Sequence, residues 1–338
     1  MTIPAQNHSV ILPFVPPGPL QTAVLFIVFN RPEITETVFE AIRTARPPRL
    51  YVAADGARGN RQGEVARCER TRQLIDRVDW PCEVHTLFRS HNLGCRKAVS
   101  SAIDWFFETE ERGIILEDDC LPAPSFFWYC EELLERYATD ERIGQISGTA
   151  FCTGDLLGDI RADYIYSRHF SIWGWATWRR VWKTYAPALS LWPTFPRDRM
   201  LPGTYPDPHE RHMRTRNNDS IATGEIDAWS FQWVFANASQ SRLAAVPRHN
   251  LVVNIGFGED ATHTTFRNPV APVVAGELTL PTKAPAFVHP DHVYDSALSK
   301  RLYPGQILAK IGAVKCRLGD PAFVRAKLRR WIPMSHTA

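Results

Sequence analysis

The stretch Ala23-Val24-Leu25-Phe26-Ile27-Val28-Phe29 constrains the fold more than any other part of the chain. An unbroken apolar run of β-branched and aromatic residues reads as a strand buried on both faces, the kind found in parallel sheets covered by helices. Asn30-Arg31-Pro32 ends it, and Pro32 suits a first helical turn, where its missing N–H is no loss. The alternation then repeats: strand near Leu50 to Ala54, helix near Glu64 to Val78, strand near Glu83 to Phe88, helix near Cys95 to Phe107, strand Gly113 to Leu116. Strand and helix in turn predict a parallel, doubly wound α/β sheet. Ligands of such sheets sit beyond the carboxyl ends of the strands. Four polar clusters fall there: Asn30-Arg31, Asp55-Gly56, His91-Asn92 and Glu117-Asp118-Asp119.

A chain of 338 residues exceeds the usual size of one core, so one large α/β domain with an elaborated second half and two closely packed domains are both open. Residues 1–21 are proline-rich and read as an extended lead-in. Residues 22–150 carry the regular alternation. Residues 151–290 are less periodic and richer in Trp and Pro, with Trp173-Gly174-Trp175-Ala176-Thr177-Trp178 at their centre. Residues 291–338 form a basic tail in which nine Lys or Arg between 300 and 330 face Asp320 as the sole acid. A solvated helix packing its apolar face on the domain is the favoured reading of that tail. Peripheral contact with an anionic membrane surface, or with a polyanionic acceptor, is the other.

Composition removes several classes. A formal charge of +3, left from 39 basic and 36 acidic residues, provides no global field for nucleic acid. Hydrophobic residues at 44% and charged residues at 22% exclude global disorder and a membrane channel. Seven cysteines form no CxxC pair and no zinc-type spacing with histidine, so they read as reduced thiols of a cytoplasmic protein. Neither a secretory leader nor a run of about twenty apolar residues is present. The expected location is the cytoplasm, with the inner membrane face open through the basic tail.

Gly113-Ile114-Ile115-Leu116 runs directly into Glu117-Asp118-Asp119, followed by Cys120-Leu121-Pro122. Three acids abutting a buried strand repel one another and need a counter-charge. If the extended form continues, Glu117 and Asp119 share one face and Asp118 takes the other. A hard divalent cation bridging carboxylate and diphosphate oxygens would supply the counter-charge, as Mn²⁺ or Mg²⁺ does in phosphate sites. A solvated turn of acids ahead of a helix beginning near Pro124 explains the triplet equally well.

In order along the chain, these segments resemble the GT-A glycosyltransferases, in particular N-acetylglucosaminyltransferase I and bacterial sugar transferases related to it. Ile115-Leu116-Glu117-Asp118-Asp119 with Pro124-Ser125-Phe126-Phe127 is similar to that family's acidic motif and following helix. Gly174-Trp175 with Arg179 to Trp182 resembles its acceptor-side segment, and Gly256-Phe257-Gly258 leading to Thr262-His263 resembles its late loop. The likeness spans about residues 22–268. It implies a Rossmann-like GT-A fold and transfer of a sugar from a nucleoside diphosphate sugar, UDP favoured, to a glycan or lipid-linked acceptor. It further implies that Asp119 ligates the metal, that Glu117 and Asp118 contact ribose and nucleotide, and that Arg31 and Asp55 hold the base and nucleotide. Thr262 is expected on phosphate and His263 on metal or phosphate. Trp173, Trp175 and Trp229 are the aromatic faces for the acceptor sugar. Ile226-Asp227-Ala228-Trp229 is similar to the segment that carries the catalytic base of the inverting relatives, with Asp227 at the matching position and Ser230 where a second acid often stands. A turn acid at Asp55, a surface cation at Arg31 and a helix-start acid at Asp227 are the structural alternatives.

Two other classes compete. A sugar-nucleotide nucleotidyltransferase shares the α/β character and paired acids, but it usually carries a glycine-rich basic loop after the first strand, which Phe29-Asn30-Arg31-Pro32 is not. A non-catalytic carbohydrate-binding protein would tolerate loss of the acids.

Overall fold

The computed structural model describes residues 14–152, 161–257 and 274–303. The first half follows the predicted alternation: β1 (Val24–Val28), α1 (Pro32–Ala45), β2 (Arg49–Ala54), α2 (Glu64–Gln73), β3 (Glu83–Phe88), α3 (Cys95–Thr109) and β4 (Arg112–Glu117). Then come β5 (Cys120–Pro122), α4 (Ser125–Arg136), β6 (Ile143–Ser147), β7 (Tyr164–Ser167), β8 (Trp175–Trp178), α5 (Arg179–Trp182), α6 (Arg197–Thr204), α7 (Pro208–Ala222), α8 (Ser230–Ala238), β9 (Leu243–Pro247), β10 (Val252–Asn254) and α9 (His292–Leu302).

Eight strands form one sheet in the order β3-β2-β1-β4-β8-β6-β9-β7. The ladders β2–β3, β1–β2, β1–β4 and β6–β9 are parallel, while β8 and β7 run against their neighbours. The sheet is therefore mostly parallel, as the sequence predicts. It passes unbroken from residues 22–150 into 151–290, and one hydrophobic core takes residues from both stretches.

Every residue of β1 is buried, which is why its sequence shows no polar alternation. Each such side chain contributes about 1.5–3 kcal/mol of gross burial energy, so a polar substitution anywhere in β1 is costly. Helix α1 turns Thr35, Val38, Phe39, Ile42 and Ala45 towards the sheet, the three- and four-residue spacing of one helical face. The helix expected up to Val78 is α-helical only to Gln73 and tightens into a 3-10 turn over Leu74–Arg77. At the sheet edge, β3 is largely exposed, and Glu83 places a charge on that edge against further pairing.

Away from the main sheet, β5 pairs antiparallel with β10, placing Asn254 opposite Cys120. This small ladder brings the residues after the acidic motif against a segment more than a hundred positions later. Among the described residues no helix is long and apolar enough to cross a membrane. Residues 291–303 of the basic tail are described, including α9, and the rest of it lies outside the described residues.

Candidate functional site

The carboxyl ends of β1 to β4 open into a cavity of about 530 Å³, closed on its other side by the start of α3 and the segment leading into α8. Of the residues singled out from sequence, Arg31, Asp55, Glu117, Asp118, Asp119, Trp173, Asp227 and Trp229 all line it. Thr262 and His263 lie outside the described residues.

The acids do not alternate between faces as an extended continuation would require. The strand ends at Glu117, and Asp118 and Asp119 form a turn, which brings all three to one cavity. Nor is their counter-charge left wholly to a metal. Arg31, at the N-cap of α1, donates from Nη2 to Asp118 Oδ1 and to Asp119 Oδ2 at 3.0 Å. Burial works against the guanidinium charge, but Asp118 and Asp119 more than offset it, and Arg31 is held firmly protonated. Asp118 also accepts from the Phe29 N–H at 3.3 Å. Even so, burial raises the carboxyls of Glu117 and Asp118 above the usual carboxylate range, helped in both by Asp119 and opposed by Arg31. One cation among three acids leaves the cluster short of positive charge.

The donor set decides which metal chemistry fits. Among the described residues no three His, Cys, Asp or Glu side chains converge well enough to hold an ion alone. One or two hard carboxylate oxygens facing a cavity suit Mg²⁺ or Mn²⁺ that takes its other ligands from phosphate and water, and not a closed structural site. Asp119 is pressed against Gly256, where an added Cβ would lie 2.4 Å from Asp119 Oδ2. Its carbonyl accepts from the Ile255 N–H at 2.8 Å.

Asp55 does more than end a strand. Its carboxylate accepts from the N–H groups of Gly56 (2.9 Å) and Leu93 (3.0 Å) and from Asn92 Nδ2 (2.9 Å), so it pins the loop before α3. Burial raises its carboxyl pKa while these N–H donors pull it back. The turn-acid alternative thus captures its bonding, and the residue also stands on the cavity wall.

Asp227 is exposed, as the helix-start alternative expects, but it stands ahead of the Trp229 N-cap and so lies outside the first turn of α8. Its carboxylate approaches Gly94, where an ideal Cβ would sit 2.8 Å from Oδ2, and it lies 3.6 Å from Arg96 Nε. Gly94 has φ +80° and ψ 161°, a conformation essentially confined to glycine. Two residues on, Trp229 stacks on Trp175 with centroids 5.9 Å apart, and Trp175 packs on Trp233 at 5.0 Å. Trp233 Nε1 donates to Gln145 Oε1 at 2.6 Å. Trp175 is the correction among the aromatics: a fully buried residue of β8, it does not line the cavity and serves as the floor on which the Asp227–Trp229 segment rests. Trp173 does reach the cavity and packs edge-on against Phe257 at 5.9 Å.

Sequence reasoning passed over Arg58, Arg89 and Cys95, which also line the wall. Arg89 directly follows β3 and was within reach of the strand-end rule. Arg58 is held by the buried Glu64, which accepts from its backbone N–H at 2.6 Å and from its guanidinium, and it lies over the Phe29 ring at 5.3 Å.

No protein-family model matches the chain, and no curated protein matches it. Among solved structures it is similar to HddC from Yersinia pseudotuberculosis, at 9% identity and TM-score 0.31, over 49% of this chain and 80% of that one. It is similar to the inositol-1-phosphate CTP transferase of T. maritima, at 9% identity and TM-score 0.34, over 68% and 85%. A UDP-glucose pyrophosphorylase complexed with UDP-glucose gives 9% identity and TM-score 0.26, over 49% and 79%. Likeness at this level carries no conclusion about activity, and the α/β fold rests on the strand order itself.

Proposed function

We propose that the cavity binds a nucleoside diphosphate sugar and transfers its sugar to an acceptor hydroxyl, probing UDP donors first. The observation that carries this reading is the convergence on one cavity of the acidic turn at the end of β4, Arg31, and the separate exposed carboxylate of Asp227. Asp119 would hold a Mn²⁺ or Mg²⁺ shared with the diphosphate, and that ion would offset charge on the departing phosphate. Arg31 adds a second positive charge on the same side. Asp227 faces the cavity from the opposite wall and takes the proton of the acceptor hydroxyl as its oxygen bonds to the anomeric carbon. The bond from that carbon to the diphosphate oxygen breaks, and its electron pair leaves with the nucleotide. Attack from the side opposite the leaving group inverts the anomeric configuration. Trp173 offers an aromatic face to the acceptor.

A second reading is nucleotidyl transfer from a nucleoside triphosphate to a sugar phosphate. Three arginines on the wall, Arg31, Arg58 and Arg89, favour it. Against it, Arg58 is already committed to Glu64, and Phe29-Asn30-Arg31-Pro32 forms no glycine-rich phosphate loop. One screen separates the readings: UDP-, GDP- and dTDP-sugars with Mn²⁺ or Mg²⁺, assayed for nucleoside diphosphate release, beside nucleoside triphosphates with sugar 1-phosphates, assayed for pyrophosphate. The transfer reading expects diphosphate release that falls about 10²- to 10⁴-fold in Asp227→Asn with donor affinity kept. Pyrophosphate release would replace it with the second reading, and silence in both arms would leave a binding protein.

A further inference from the structure

The loops that follow β2 and β3 are bonded into one piece with Asp55 at its centre. Asp55 Oδ1 accepts from the N–H groups of Gly56 at 2.9 Å and Leu93 at 3.0 Å, while Oδ2 accepts from Asn92 Nδ2 at 2.9 Å and from the same Leu93 N–H at 3.1 Å. Asn92 Nδ2 also donates to the Gly56 carbonyl at 2.9 Å. From α2, Arg72 donates through Nη2 to the carbonyls of Asp55 (3.1 Å) and Arg89 (2.6 Å). Gly56 lies flat against His91, where an added Cβ would come within 2.3 Å of the His91 carbonyl carbon. These bonds use both oxygens of Asp55, close to the capacity of a carboxylate. A ligand group reaching for either oxygen would have to displace one of the protein's own donors.

What this piece carries is the start of α3. Leu93 leads directly into Gly94, whose φ of +80° and ψ of 161° belong to a region that only glycine enters readily. Glycine is free to take many other conformations, so Gly94 does not select this one by itself. The selection comes from both sides: Asp55 holds the Leu93 N–H, and the Ala98 N–H of the first turn of α3 donates to the Gly94 carbonyl at 2.9 Å. Asp227 is placed by the same turn. Its Oδ2 lies so near Gly94 that an ideal Cβ there would be 2.8 Å away, and its Oδ1 stands 3.6 Å from Arg96 Nε, too far for a hydrogen bond. A carboxylate seated by packing moves when its seat moves.

We propose that Asp55 is a positioning residue: it holds residues 91–94 in the one conformation that seats Asp227, and it does not itself contact the nucleotide. The geometric half of this statement stands on the bonding alone. The half that concerns turnover rests on the transfer reading, in which Asp227 is the base. Asp55 and Asp227 both line the main cavity yet are 172 positions apart in sequence, and Gly94 is the point at which the bonding of one meets the packing of the other.

The test uses Asp55→Asn in the full chain, which keeps the size of the side chain but turns one acceptor oxygen into a donor facing donors. Without any ligand, amide exchange over residues 91–98, followed by mass spectrometry, should quicken about 10- to 100-fold, the worth of a hydrogen bond to a charged group. Affinity for UDP with Mn²⁺ should stay within about 2-fold of the parent, while kcat falls about 10²-fold, the scale of a displacement near 1 Å. In an Asp227→Asn background the same change should lower turnover no further, because two residues that act through one another do not add. Arg72→Met, which loosens the same two loops and leaves Asp55 in place, should give the same pattern in smaller measure and covers the case in which Asp55→Asn does not fold. Unchanged exchange over residues 91–98, a 10-fold loss of UDP affinity with kcat kept, or a full further loss in the Asp227→Asn background would each overturn the proposal. If the chain moves no sugar at all, the transfer reading falls, and the exchange rates alone decide whether Asp55 holds the loop.

Discussion

Replacing Arg31 with methionine asks how the acidic turn is neutralised. The change keeps an unbranched stem and removes the one cation among the described residues in contact with Asp118 and Asp119. Arg31 and Asp118 are 17% and 6% exposed at their side chains, so this is a buried pair, and taking away one partner of such a pair costs about 3–5 kcal/mol. Protonation limits the loss. Asp118 already sits above the usual carboxylate range through burial, and without Arg31 its pKa rises further, so near neutral pH part of the deficit is relieved by proton uptake. We expect about 3 kcal/mol at pH 7.5, which, with about 0.7 kcal/mol/K of unfolding entropy for a chain this long, lowers Tm by about 4 °C. The sign with pH follows from the direction of the shift: the folded variant holds the extra proton more tightly than the unfolded chain, so the deficit shrinks as pH falls towards 5.5. Scanning calorimetry at both values, with and without millimolar Mn²⁺, reads all of this, and Mn²⁺ should restore more of Tm in the variant than it adds to the parent. A variant within 1 °C of the parent at pH 7.5, or a deficit that does not shrink on acidification, would refute the assignment of Arg31 as the principal counter-charge.

Calorimetric titration of UDP and Mn²⁺ should show each binding weakly alone and strongly together, with the mutual enhancement gone in Asp119→Asn; equal UDP affinity with and without metal in the parent would remove the metal from the site. Gly94→Ala combines a glycine-only backbone conformation, about 1–3 kcal/mol of strain, with a Cβ that pushes the Asp227 carboxylate outwards. It should lower turnover by up to about 10²-fold, the scale of a displacement near 1 Å, with Tm reduced, and normal turnover would show that Asp227 does not need this seat.

Much of the first half is legible because each of its central strands is an apolar run that must be covered on both faces, and each run is followed by a helix with its own spacing. The second half hides its strands. Tyr164–Ser167 and Trp175–Trp178 are four residues each, too short for a period to declare itself, and Trp175 reads as a flat face for sugar when it is a sheet residue inside the core. The site was legible as a list of strand-end polar groups, since the position of a loop follows from the strand before it. Their mutual bonding was not. Nothing local to Arg31 announces that it closes on carboxylates 87 and 88 positions later, nor does Asp55 reveal that its oxygens are occupied by the loop at Asn92 and Leu93. Those contacts are set by parallel pairing of β1 with β4 and of β2 with β3, a long-range property.

The short ladder between Cys120–Pro122 and Val252–Asn254 has a consequence for how a chain of this kind can change over time. It fastens Asp119 beside Gly256 by pairing, so the two stay opposed however many residues are gained or lost at exposed turns between them, such as the one at Gly224. Loops there are free to drift in length. Within the ladder no such freedom exists: losing a single residue from Val252–Asn254 would exchange the two faces of that strand, turning the buried Val252 outwards and carrying Gly256 off the acidic turn.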